Sequence, residues 1–125
     1  MKAAANALEE RTAMFGEQVI DFCYAVETDA VRDPLIRQLV HSATSIGANY
    51  CEADEAESKK DFRHKIALCR KEARETRYWL RMLAKACPSE KSLARSLWKE
   101  AKELHLIFCA IIRTTDRNLK SEAAP

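Results

Sequence analysis

The sequence predicts an all-α protein, an up-down-up-down, left-handed four-helix bundle. Three observations predict it. Apolar residues recur at alternating steps of four and three through four long segments. The chain holds only two glycines and three prolines, sparse turn chemistry that suits long helices with few connections. No segment reads as a strand candidate, a linker or a low-complexity tract.

Steps of three and four place side chains on one helical face. In the first segment Leu8, Thr12, Phe15, Val19, Phe22 and Val26 form that face. In the second it is Ile36, Leu39, Ala43, Ile46 and Tyr50. The third carries Phe62, Ile66, Cys69, Ala73, Thr76, Leu80 and Leu83. The fourth carries Leu97, Ala101, Leu104, Phe108, Ile111 and Thr115, with Leu93 one turn earlier. Sustained over several heptads, such faces form the seam of a left-handed bundle.

The boundaries have their own signals. Asp33-Pro34 reads as an N-cap with proline at the first helical position. Ser58 with Asp61 resembles a capping box. Pro88 ends the third helix and Ser89 can cap the fourth. The connections are short, so neighbouring helices should run antiparallel. At 125 residues the chain reads as one domain, 1–125, with a tail expected to fray from about residue 120. A chain this long buries roughly two-thirds of its unfolded surface and needs no metal or disulfide to hold a core.

The net charge of +2 hides a strong segregation. Residues 1–29 carry two basic and six acidic groups, and residues 30–58 two and five. Residues 59–88 carry ten basic and three acidic groups. On the third helix Arg63, Arg70, Arg74, Arg77, Arg81 and Lys85 line up beside the apolar seam. Their stems can cover its edge while the charged heads stay in water. Guanidinium groups favour bidentate contact with carboxylate or phosphate. Two readings follow. The stripe faces acidic side chains of the first or second helix, in the same chain or a neighbour, or it meets nucleic-acid phosphates.

Several chemistries find no support. Two distant glycines, Gly16 and Gly47, cannot build a phosphate cradle. A helical di-iron site needs two Glu-x-x-His pairs and two further carboxylates, whereas Asp61 and His64 stand as a single Asp-x-x-His. Arg37 and His41 are too close in sequence for the spacing of small helical nucleases, and His105 stands alone. No catalytic motif, metal site or cofactor is expected. The cysteines, Cys23, Cys51, Cys69, Cys87 and Cys109, include no CxxC pair and read as reduced thiols of a cytoplasmic protein. The longest apolar stretch, Leu106 to Ile112, is too short for a bilayer. Glu9 and Glu10 stand where a signal peptide would need its apolar segment.

Ser45-Ile46-Gly47-Ala48-Asn49 resembles the Ser-Ile/Val-Pro/Gly-Ala/Ser-Asn signature of the ribosomal RNA intervening-sequence proteins. Glu52 falls on the glutamate that follows in that family. Ser58-Lys59-Lys60-Asp61-Phe62 looks like its Ser-x-x-Asp/Glu-Phe entry to the third helix. Residues 71–80, Lys-Glu-Ala-Arg-Glu-Thr-Arg-Tyr-Trp-Leu, look like the form found in one of its branches. The resemblance spans roughly residues 15–115. Gly47 replaces the commoner proline, and Ala53 the glycine usual after the Ala-Glu pair, which bears on the shape of the loop between helices two and three.

The resemblance implies a bundle that assembles as a ring, typically a homopentamer, with no enzymatic activity. It also implies similarity to accessory proteins of diversity-generating retroelements, which associate with reverse transcriptase and nucleic acid. The motif residues themselves read as structural. Gly47, Ala43 and Ala48 allow close helix approach. Asn49, Glu52, Arg70 and Glu75 are expected to hydrogen-bond between helices two and three. Two functions therefore compete. One is a non-enzymatic homo-oligomer that binds RNA or DNA, alone or beside a reverse transcriptase. The other is a protein-only scaffold or adaptor whose charged faces serve oligomerisation and partner docking. Trp79, Met82, Trp98 and Ile112, apolar residues outside the seam, add an expected assembly surface.

Overall fold

A computed structural model describes the backbone of residues 2–123 and the side chains of 7–123. Four α-helices follow one another: α1 (Lys2–Ala25), α2 (Arg32–Asp54), α3 (Lys59–Ala86) and α4 (Lys91–Ala123). A 3-10 turn, Pro88–Glu90, joins α3 to α4. No strand occurs among the described residues. No described helix is long and apolar enough to cross a membrane. The tail expected from about residue 120 is helical as far as Ala123, and Ala124-Pro125 lie outside the described residues.

The seam residues of all four segments meet in one core. Phe15, Phe22, Leu39, Ile46, Ile66, Leu80, Leu83, Leu104 and Phe108 are almost fully buried. Three threonines take seam positions because each satisfies its hydroxyl within its own helix. Thr12 donates to the Glu9 carbonyl, Thr76 to that of Glu72 and Thr115 to that of Ile111. α4 departs from the expected phase at both ends. Ala94 and Ile112 are buried, whereas Leu93 is exposed and Ile111 only half-buried. At roughly 100° per residue, Leu93 and Ile111 lie on one edge of the seam and Ala94 and Ile112 on the other, and the packing buries the second edge. Ile112 is thus core rather than assembly surface, and Trp79 and Trp98 pack partly against the core.

The helix ends show which local signals won. Ser58 accepts from the Asp61 amide at 3.0 Å, the expected cap of α3. α2 begins at Arg32, two residues earlier than Asp33-Pro34 suggested. Asp29 accepts from the Val31 and Arg32 amides at 3.0 and 2.7 Å. The Arg32 amide holds the Asp29 carboxyl below its ordinary pKa. Pro34 lies within the first turn of α2, where its missing amide would have had no helical partner. Arg32 Nε then donates to the Ala86 carbonyl at 3.0 Å, tying the start of α2 to an orphan carbonyl at the end of α3.

Packing is uneven. α3 is embraced extensively by α2 and α4, and α1 leans mainly on α2. α1 meets α4 over a short stretch, where Arg11 grips Glu100 in a bidentate pair at 2.7 and 2.8 Å. Between α1 and α2 the small residues allow close approach: a Cβ on Gly16 would meet Thr44 at 3.8 Å, and one on Gly47 would meet Thr12 at 3.4 Å. At Gly16 that is ordinary van der Waals contact, and its backbone has no positive φ. Gly16→Ala is therefore expected to stabilise the fold by about 0.5–1 kcal/mol through helix propensity. A lowered urea midpoint would contradict this.

Candidate functional site

The α3 stripe forms a basic surface with α4. Arg63, at its start, is neutralised: its Nε donates to Asp116 Oδ1 at 2.9 Å and Nη2 to Oδ2 at 3.2 Å. That contact holds the Asp116 carboxyl below its ordinary pKa. The partner comes from α4, not from the first or second helix. Arg70, Arg74, Arg77, Arg81 and Lys85 have no carboxylate partner among the described residues. Arg74, Arg81 and Lys85 are exposed, and Arg70 and Arg77 half-buried.

Arg77 is held by an aromatic ring instead. Its guanidinium lies 4.7 Å from the Trp98 ring centroid, and Lys102 Nζ lies 5.7 Å from the same ring. His105 follows one helical turn after Ala101 on α4. Burial, and then the positive charges of Arg77, Arg70 and Arg74, lower its pKa, so the imidazole is neutral at pH 7. Arg77 Nε and His105 Nδ1 are buried without a hydrogen-bond partner. Arg70, Arg74 and Arg77 thus form one electropositive patch beside the neutral His105. His105 and Trp98 were not among the expected site residues. The signal that could have found them is their place on α4 opposite the arginine stripe, which needs the helix register.

The motif residues are dispersed. Gly47 faces α1, through Thr12. Ser45 accepts, through its carbonyl, the Asn49 side-chain amide at 2.9 Å within α2. Glu52 does bridge to α3, through Lys65 Nζ at 2.9 Å. Arg70 makes no hydrogen bond to α2, and Glu75 lies beside Glu72, whose pKa is raised by burial and then by that neighbouring carboxyl. The buried polar link between α2 and α3 is a different pair, Thr76 and Ser42, whose hydroxyl oxygens lie 2.9 Å apart. Cys69 adds to it by donating to the Ile46 carbonyl at 3.5 Å.

Nothing in this arrangement resembles an activated nucleophile. All five cysteines are free. Burial pushes the Cys69 thiol up to about 12 and the Cys23 thiol to about 11, so neither is a thiolate at neutral pH. Cys109 Sγ is 3.9 Å from His105 Nε2, and the neutral imidazole beside three arginines offers it no strong base. No group of three or more metal-ligating side chains occurs among the described residues.

A family model described as 23S rRNA-intervening sequence protein matches residues 8–109. Among solved structures, a protein of unknown function from the S23 ribosomal protein family of Bacteroides thetaiotaomicron is similar. It shares 27% identity, with a TM-score of 0.76, over 87% of this chain and 97% of that one. No curated protein matches.

Proposed function

The chain belongs to the 23S rRNA-intervening sequence protein family, and from that footing we propose that it is a non-enzymatic homo-oligomer that binds RNA or DNA phosphates through α3. One observation carries the reading: five successive cations of the α3 stripe lack a carboxylate among the described residues, although the chain has nearly as many acidic as basic groups. Cations that fold without intrachain neutralisation are available to an external polyanion.

The bundle we infer is up-down-up-down and left-handed. Its register pairs support the alternation. Thr12 lies against Gly47 and Gly16 against Thr44. Ser42 lies against Thr76, and Glu52 against Lys65. Arg63 lies against Asp116, and Arg77 against Trp98. In each set one number rises as the other falls. The proposed assembly is a closed ring of five, as the family resemblance implies. A ring repeats the stripe in every subunit, and weak phosphate contacts then add through multivalency. A reverse transcriptase, or another protein that handles the same nucleic acid, is the partner this reading carries. The proposed compartment is the cytoplasm, in keeping with five free thiols.

The test is a titration of wild-type protein with single-stranded RNA and with duplex DNA, each at low and moderate salt. The expected result is binding with little sequence preference that weakens steeply as salt rises. Absence of binding at low salt, with the oligomer intact, would favour the second reading, a protein-only scaffold or adaptor. That reading draws on the exposed apolar residues Tyr24, Tyr78 and Leu106, which an interface would cover.

A further inference from the structure

Where α3 turns into α4, the two helices leave an open groove of about 850 Å³. Met82, Ala84, Pro88 and Trp98 line its apolar part. Arg81, Lys85, Lys91, Arg95 and Lys99 rim it, and no carboxylate lines it. None of these five cations has an ion-pair partner among the described residues. A polyanion alone would use the rim and leave the apolar floor wet. The groove's chemistry fits an amphipathic helix whose apolar residues are flanked by carboxylates.

The chain itself carries such a face. On the outside of α1, opposite its seam, Glu10, Ala13, Glu17, Ile20 and Tyr24 follow at steps of three and four. All five are exposed, Tyr24 at 88% and Ile20 at 37%. Asp21 lies beside them, also exposed. Glu10, Glu17 and Asp21 make no ion pair among the described residues. The lengths agree: Glu17 to Tyr24 spans about 10 Å of helix, and Lys91 to Lys99 about 12 Å.

We propose that this groove docks the outer face of α1 from a second copy of the chain, head to tail. Ile20 and Tyr24 enter the groove over Met82 and Trp98, and Glu17 and Asp21 meet the cations of its rim. The contact is heterologous, since each copy offers a groove to one neighbour and an α1 face to another. It divides the basic surface. The Arg81–Lys99 end is covered by the neighbour, while Arg70, Arg74 and Arg77 stay open. This inference names the contact behind the oligomer proposed above and rests on that reading.

A charge swap tests it. One variant carries Glu17→Lys and Asp21→Lys, the other Arg95→Glu and Lys99→Glu. All four sites are exposed, and circular dichroism checks that each variant stays helical. In sedimentation each variant alone is expected to associate at least ~10-fold more weakly than wild type, because like charges then face one another. Combining all four substitutions in one chain is expected to restore assembly, since a reversed α1 then meets a reversed groove at every contact of the ring. A groove variant that assembles as wild type, or a fourfold variant that stays dissociated, would overturn the docking. Loss of RNA binding by the groove variant with assembly unchanged would assign the groove to nucleic acid instead, and would likewise overturn it. A monomeric wild type would overturn the oligomer reading itself, a failure distinct from the others.

Discussion

Truncation of Phe108 to alanine is expected to cost about 3–5 kcal/mol. The side chain is fully buried on α4, and its ring lies 6.4 Å from that of Tyr50 on α2. Its removal leaves a cavity where α2, α3 and α4 meet, and a rigid bundle closes over such a void only in part. Leu80→Ala, at a position 1% exposed on α3, should cost about 2–5 kcal/mol by the same mechanism. Either loss is a large share of the roughly 5–15 kcal/mol typical of a domain. Urea unfolding measures both, with Leu106→Ala as control. Leu106 is 54% exposed and its truncation should stay within about 0.5 kcal/mol. An unchanged midpoint for Phe108→Ala would mean that the α4 seam is misphased.

Replacing Arg74, Arg77 and Arg81 together with glutamine should have the largest effect on binding. For every cation that no longer meets a phosphate, the slope of log affinity against log salt should flatten by about 0.7 for a single strand and 0.9 for a duplex. A ring multiplies the change by the number of subunits engaged. Arg77 differs from the other two because its guanidinium stacks on Trp98, so its loss also disturbs packing. Arg81 rims the groove proposed to dock a neighbouring α1, so Arg74→Gln alone, at an exposed site, separates phosphate contact from packing and assembly. If wild type binds no nucleic acid and the triple variant dissociates, the stripe serves assembly, and the scaffold reading holds.

The seam was legible because it depends on spacing within one helix. Thr12, Thr76 and Thr115 could be placed inside despite their hydroxyls, since each closes a hydrogen bond within its own helix. Phase slipped at both ends of the 33-residue α4, where Leu93 and Ile111 on one edge of the seam compete with Ala94 and Ile112 on the other, while Leu8, Ile36 and Phe62, at the ends of the other seams, are half-buried. The cap of α2 was misplaced for a related reason. Asp29 and Asp33 both offer a capping carboxylate, and the choice is tied to how Arg32 reaches the end of α3. Partnership across helices was much less legible. Asp116 is 53 residues from Arg63, and Ser42 is 34 from Thr76. Such pairings follow from the registers of packed helices, which no local pattern encodes. Trp98 was legible as an apolar residue outside the seam, but the same limit hid its stacking under Arg77 and the place of His105 beside the arginines.

The uneven packing of α1 has a kinetic side. α2, α3 and α4 share two long interfaces centred on α3, whereas α1 has one such interface and little beyond the Arg11–Glu100 grip on its far side. Small residues, including Gly16 and Gly47, line its packing against α2, so fewer apolar atoms resist its departure. The lowest-energy opening of the molecule is therefore release of α1 from a three-helix remainder, a sub-global event well below complete unfolding. Amides of α1 lose protection first in hydrogen exchange, and those of α3 last. A helix that detaches as a unit can also re-enter the vacant seam of a neighbouring copy, so the bundle carries within it a route to domain-swapped dimers.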